Sequence, residues 1–141
     1  MTHLYSHHGY TPAPLPHRLR LPDGSTRTDA STFTPELLAA AGYTGPYERP
    51  SCDLTTETVD WDPEALAFLV RPYNEAELAA QWNAIRSRRD TLLGASDWTQ
   101  IADYDLGADT AAWASYRQAL RDVPSQANPF AIDWPQQPSQ D

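Results

Sequence analysis

Imidazoles, carboxylates, one thiol and a dense group of aromatic rings are the side chains of this 141-residue sequence that could carry chemistry. His3, His7 and His8 could offer nitrogens to a metal ion, since His7 lies four residues after His3 and would share its face on a helix. No helix signal accompanies that spacing and no cysteine or carboxylate stands beside it, so no metal site is expected. His17 begins an alternating stretch and has no evident role. Cys52 is alone, which rules out an intramolecular disulfide or a cysteine-based zinc site within one chain and fits a reducing compartment.

Catalysis needs a nucleophile beside a base, or paired carboxylates held in a dry pocket. The sequence has no Gly-x-Ser-x-Gly, no phosphate-binding glycine loop and no His-Glu-x-x-His. Asp103-Tyr104-Asp105 brings two carboxylates together, but in a loop-like setting where aspartates cap helices or face water. Neither an enzyme nor a cofactor is expected.

Recognition is the chemistry that remains. Pro129-Phe130-Ala131-Ile132-Asp133-Trp134-Pro135 sets apolar and aromatic side chains in a proline-rich stretch, where they cannot bury one another in an isolated helix or strand. They must dock, either on the chain's own helices or in a partner's groove through aromatic anchors. Trp113 and Arg117 have the spacing of a cation–π pair on a helix face, with Arg121 one turn on; the alternative is a row of solvated arginines. Trp82, Trp98 and Trp113 each carry a large apolar area that a small core needs. The candidate partner-binding residues are Trp113, Tyr116, Arg117, Arg121, Pro129, Phe130, Ile132, Asp133, Trp134 and Pro135.

The elements that must position these residues follow from composition and pattern. Thirteen prolines and a mean hydropathy of -0.60 suggest a loop-rich chain, while five tryptophans are too many for a disordered one. Its length suits one modest core, or two small subdomains sharing one. A formal charge of -9 without an arginine-rich patch would repel a phosphate backbone, so nucleic acid is not an expected partner. No apolar run approaches membrane-spanning length, and residues 1 to 10 lack a basic region followed by an apolar one; a cytosolic, membrane-free protein is expected.

Residues 1 to 16 show neither helical nor strand periodicity and are expected to form an arm. Arg18-Leu19-Arg20-Leu21 alternates, and Asp23-Gly24 signals a hairpin into Ser25 to Thr28. Thr34 as N-cap, Pro35 at the first position and Gly42 after the last apolar residue predict a short helix over 35 to 41. Glu57 to Trp61 and Leu66 to Arg71 flank Asp62-Pro63-Glu64-Ala65 as a second hairpin. Asn74 and Glu77 resemble a capping box opening a helix with Leu78, Trp82, Ile85 and Leu92 on one side, ending at Gly94. Arg89 falls inside that stripe and, if buried, needs a carboxylate from among Asp97, Asp103, Asp105 and Asp109. A second helix over 109 to 123 presents Trp113, Tyr116, Leu120 and Val123, with Pro124 ending it. Beyond it the chain is expected to be extended. The reading is an α+β chain: an arm (1–16), a small β-rich module with a short helix (17–73), a helical hairpin (74–124) and an extended proline-rich tail (125–141).

Ala112-Trp113-Ala114-Ser115-Tyr116-Arg117-Gln118-Ala119-Leu120-Arg121-Asp122-Val123-Pro124, followed by Pro129, Ile132-Asp133-Trp134-Pro135 and Pro138, resembles the C-terminal signature of bacteriophage tail assembly chaperones. Asn83 to Arg86, Arg89 to Leu93 and Ser96 to Gln100 look like the preceding part of the same domain, so the likeness runs from about residue 78 to 138. Tail-fibre assembly proteins close similarly, on a tryptophan, Tyr-Arg, leucine, valine and Asp-Trp-Pro or Glu-Trp-Pro. The resemblance implies help in folding or oligomerising a phage tail or tail-fibre protein in the host cytoplasm. It leaves open a released chaperone or a subunit retained in the virion tail, and the oligomeric state.

Overall fold

Alternation in the first half of the chain resolves into three antiparallel strand pairs. The structure, a computed structural model, describes residues 3–101 and 106–139. Among them, β1 (Leu4–His7) pairs with β4 (Tyr43–Tyr47), β2 (Leu19–Arg20) with β3 (Thr26–Arg27), and β5 (Glu57–Asp62) with β6 (Ala67–Pro72). Three α-helices are present among the described residues, α1 (Pro35–Ala40) and α2 (Glu75–Ala95), which start at the expected caps, and α3 (Thr110–Asp122). The α+β class is as expected. The chain divides into two compact units, Met1–Asp53 with Glu57–Pro72, and Leu54–Thr56 with Tyr73–Asp141.

In the N-terminal unit the Asp23-Gly24 turn closes β2 onto β3. Gly24 takes φ +85°, and the Asp23 carboxylate accepts the Ser25 hydroxyl at 2.6 Å and its amide at 2.8 Å. Asp29 repeats the device on Ser31 and caps a 3-10 turn, Ala30–Thr32. Hydroxyl first and amide second, these bonds hold both carboxyls below their ordinary value of 3.8. Each turn therefore keeps its full contribution above the ordinary carboxylate range and loses it only as pH falls through the lower folded-state value. The alternation delivers Leu19 and Leu21 to one face, where they are buried with Leu38 of α1 beneath Tyr5, Phe33 and Tyr43.

The expectation of an arm over residues 1 to 16 is corrected by β1. Tyr5 exchanges both backbone hydrogen bonds with Ala13, at 2.8 and 3.0 Å, and the fully buried Ser6 donates its hydroxyl to the Tyr10 carbonyl. The strand escapes pattern reading because serine and histidine occupy its positions and its partner β4 lies far along the chain. An extra residue in β4 between Thr44 and Tyr47 makes a bulge opposite Leu4 to Ser6. In β5 and β6, Val59 faces Val70 and Trp61 faces Phe68, the register the alternation predicts. Trp61 meets Phe68 and Tyr47 edge-on and donates its indole N–H to the Gly9 carbonyl at 2.8 Å.

Gly42 follows α1 at φ +83°, and the His8 ring occupies the space a side chain there would need. Gly42→Ala should thus destabilise the N-terminal unit by about 2 kcal/mol, half from the left-handed backbone and half from displacing the ring. Faster amide exchange in β1 and β4 checks it; unchanged protection would show that the ring moves without cost.

Candidate functional site

The C-terminal unit is built on α2 and α3. Asn74 accepts the Glu77 amide at 2.9 Å while Glu77 accepts the Asn74 amide at 2.8 Å, the reciprocal capping box that the sequence predicts. The α2 stripe of Leu78, Trp82, Ile85 and Leu92 faces inward as the helical period requires, with Ile85 buried. On α3, Trp113, Tyr116 and Leu120 form a buried cluster against Leu92, Leu93, Trp98 and Trp134. Trp113 is 2% exposed and meets Trp98 and Tyr116 edge-on at 5.2 and 5.8 Å.

Arg117 is buried too, and its surroundings explain why. The last carbonyls of a helix lack intrahelical partners and carry the negative end of its dipole. Arg117 reaches across from α3 and closes the end of α2, donating to the Leu93 carbonyl at 2.8 Å and the Ser96 hydroxyl at 2.6 Å. Its other terminal nitrogen meets the exposed Asp97 carboxylate at 2.9 Å. Only its Nε, buried, lacks an acceptor.

After α3 a 3-10 turn, Val123–Ser125, redirects the chain. Gln126 then clamps Asp133, accepting its amide and donating to its carbonyl, both at 2.9 Å. Inside this loop Asn128 accepts the Phe130 amide and donates to the Thr55 carbonyl, so residues 126–133 form a closed turn. Of the run expected to be extended, residues 132–139 have no regular secondary structure. Phe130 stacks face to face on Tyr73 with centroids 3.8 Å apart, Gln81 donates to the Pro129 carbonyl, and the Arg88 guanidinium lies 4.3 Å above the Trp134 ring. Between α2 and this segment a cleft of about 290 Å³ stays open.

This combination of a helix pair and a docked Asp-Trp-Pro segment is the part of the chain that matches a known family. Residues 82–139, about two fifths of the sequence, match the model of the phage tail assembly chaperone protein family. This C-terminal region is similar to the phage tail assembly chaperone family. That similarity supports a chaperone role in phage tail assembly. No curated protein and no solved structure matches the chain.

Within the chaperone region the candidate residues separate into two groups. Trp113, Tyr116, Arg117 and Pro129 are buried, whereas Arg121 and Asp133 are exposed and Phe130, Ile132, Trp134 and Pro135 are half-buried. The expected Trp113–Arg117 cation–π pair gives way to the bonds Arg117 makes at the end of α2, because buried guanidinium donors need oxygen acceptors more than a ring face. The cation–π contact belongs to Arg88 and Trp134 instead. Arg89 pairs with Asp90, its sequence neighbour, at 2.8 Å rather than with the carboxylates expected for it. Only its stem follows the apolar stripe, so the head turns to the nearest surface acid. Asp97 serves Arg117, and Asp103 and Asp105 lie outside the described residues, as does the rest of the Asp103-Tyr104-Asp105 motif.

Sequence reasoning passed over Tyr73, Gln81, Arg88, Gln126 and Asn128 in the C-terminal unit. Gln81, Ile85 and Arg88 share a helical face, a signal that spacing alone could have supplied. The histidines belong to the N-terminal unit. His7 belongs to a strand and meets the His8 and Tyr43 rings at a tilt, and no group of three metal-ligating side chains occurs among the described residues. Among them, too, no helix is long and apolar enough to cross a membrane.

Proposed function

We propose that this chain binds a phage tail fibre protein in the host cytoplasm and assists its folding, oligomerisation or attachment, without catalysis, cofactor, nucleic acid or membrane. The observation that carries the reading is the Pro129 to Pro135 segment, which keeps Phe130, Ile132, Trp134 and Pro135 half-exposed on a region of the chaperone family. Side chains of that kind, fixed in place beforehand, lose little entropy on binding and make good anchors. Asp133 and the exposed Arg121 of α3 supply polar contacts, and Trp113, Tyr116, Arg117 and Pro129 hold the surface in shape from beneath. A β-rich oligomer exposes unpaired strand edges before it closes, so masking them raises the yield of correct assembly with no chemical step.

Co-expression of a tagged fibre protein with this chain tests the proposal. Wild type should co-purify and raise the yield of soluble fibre. Trp134→Ala should lower the stability of the C-terminal unit by about 1–2 kcal/mol and cut the co-purified amount at least about fivefold, with Trp134→Phe in between. If Trp134→Ala leaves both stability and co-purification unchanged, the assignment is wrong.

A second reading, a permanent tail or baseplate subunit, is favoured by one observation. The N-terminal unit, with its own core of Leu19, Leu21 and Leu38, lies outside the residues matched by the chaperone family. Mass spectrometry of purified particles separates the two: stoichiometric presence supports a retained subunit, absence a released chaperone.

A further inference from the structure

We propose that the cleft between α2 and the C-terminal segment is the recognition pocket for a partner polypeptide carrying one carboxylate beside a large apolar side chain. This deepens the chaperone reading above and rests on it. One wall is Gln81, Ile85 and Arg88; the other is Phe130, Ile132 and Trp134. The volume of about 290 Å³ equals that of on the order of ten waters, room for a single large side chain. Ile85 and the rings supply its apolar surface, and no carboxylate lines it.

The acidic half of the ligand follows from Arg88. Arg71, Arg89 and Arg117 each have a carboxylate partner, Asp60, Asp90 and Asp97 respectively. Arg88 has none among the described residues, and its guanidinium lies over the Trp134 ring. Stacking engages the face of a guanidinium and leaves its in-plane N–H donors free, in the fork that matches a carboxylate. The ring also fixes the side chain beforehand, which lowers the entropy lost when the fork engages an acid. A chain of net charge -9 repels an acidic run at long range. The pocket therefore selects one carboxylate read at short range, not a polyanionic stretch.

Titration of the ¹⁵N-labelled full chain with acetyl-Gly-Trp-Glu-Gly-amide, and with the same peptide bearing Gln or Lys in place of Glu, tests the pocket. The Glu peptide should shift the Trp134 indole and Ile85 amide signals saturably, the Gln peptide should bind about tenfold more weakly, and the Lys peptide should not saturate. Arg88→Gln should weaken the Glu peptide about tenfold and leave the Gln peptide unchanged, while Arg88→Lys, which keeps the charge and loses the fork, should recover part of the difference. Equal binding of the three peptides, or an Arg88→Gln affinity equal to wild type, overturns the proposal. If fibre protein still co-purifies while the Glu peptide fails to bind, the pocket assignment falls and the chaperone reading stands. Peptide binding without capture of fibre protein by the wild type confirms the pocket's chemistry and sinks the fibre reading.

Discussion

Trp113→Ala should abolish cooperative folding of the C-terminal unit at physiological temperature. The ring is 2% exposed and is shared by Trp98, Tyr116 and the rest of the α3 cluster, so its removal leaves a cavity bounded by aromatic walls that cannot collapse into it. A buried tryptophan truncated to alanine costs about 3–5 kcal/mol. A unit of this size has roughly 4–10 kcal/mol in all, so the loss consumes most of its stability. Urea denaturation followed by near-ultraviolet circular dichroism, which reports the packed indoles, measures it. Trp113→Phe keeps an apolar ring in place and should lose about 1–2 kcal/mol, a control that separates cavity formation from loss of the indole N–H. A Trp113→Ala variant with a wild-type denaturation midpoint would mean that the ring is a surface anchor after all.

Arg117→Ala should destabilise the same unit by about 3 kcal/mol, for a different reason. The guanidinium joins α3 to the last turn of α2 through the Leu93 carbonyl and the Ser96 hydroxyl, and its loss removes two charge-assisted hydrogen bonds and leaves a void beside the buried Ser96. Arg117→Lys should recover less than half, because a single ammonium cannot span acceptors on both sides of a fork. Asp97→Asn should cost under about 1 kcal/mol, since the Asp97 side chain is 68% exposed and well hydrated without its partner. Denaturation midpoints of the three variants check that ordering. If Asp97→Asn proved as damaging as Arg117→Ala, the ion pair and not the helix-end contact would be the source of the stability.

What the sequence disclosed follows the distance over which each feature is determined. The β2–β3 and β5–β6 hairpins and the capped starts of α1 and α2 depend on residues close together in the chain, and all were legible. β1 was not, because it draws its order from β4 across the intervening elements and buries a serine where a strand pattern expects an apolar residue. The candidate site shows the same division. Helical period placed Trp113, Tyr116, Leu120 and Val123 on one face, yet whether that face meets a partner or another helix depends on α2. Arg117 looked paired with the nearest ring because its acceptors, Leu93 and Ser96, become visible only once the end of α2 is in place. For the Pro129 to Pro135 segment two dockings were open, and the contacts of Phe130 with Tyr73 and of Arg88 with Trp134 belong to the docking on its own helices.

Leu54–Thr56 sets a limit on how the chain can be dissected. These three residues belong with the C-terminal unit, while the residues on either side, Asp53 and Glu57, belong with the N-terminal one. The Tyr73 hydroxyl rests on the Leu54 carbonyl and the Asn128 amide on that of Thr55. A fragment begun at Tyr73 therefore arrives without the acceptors that hold the tyrosine under Phe130 and the turn at Asn128. Severing the polypeptide at one point cannot release the C-terminal unit by itself, since a fragment from Leu54 onward carries along a β-hairpin parted from its own unit.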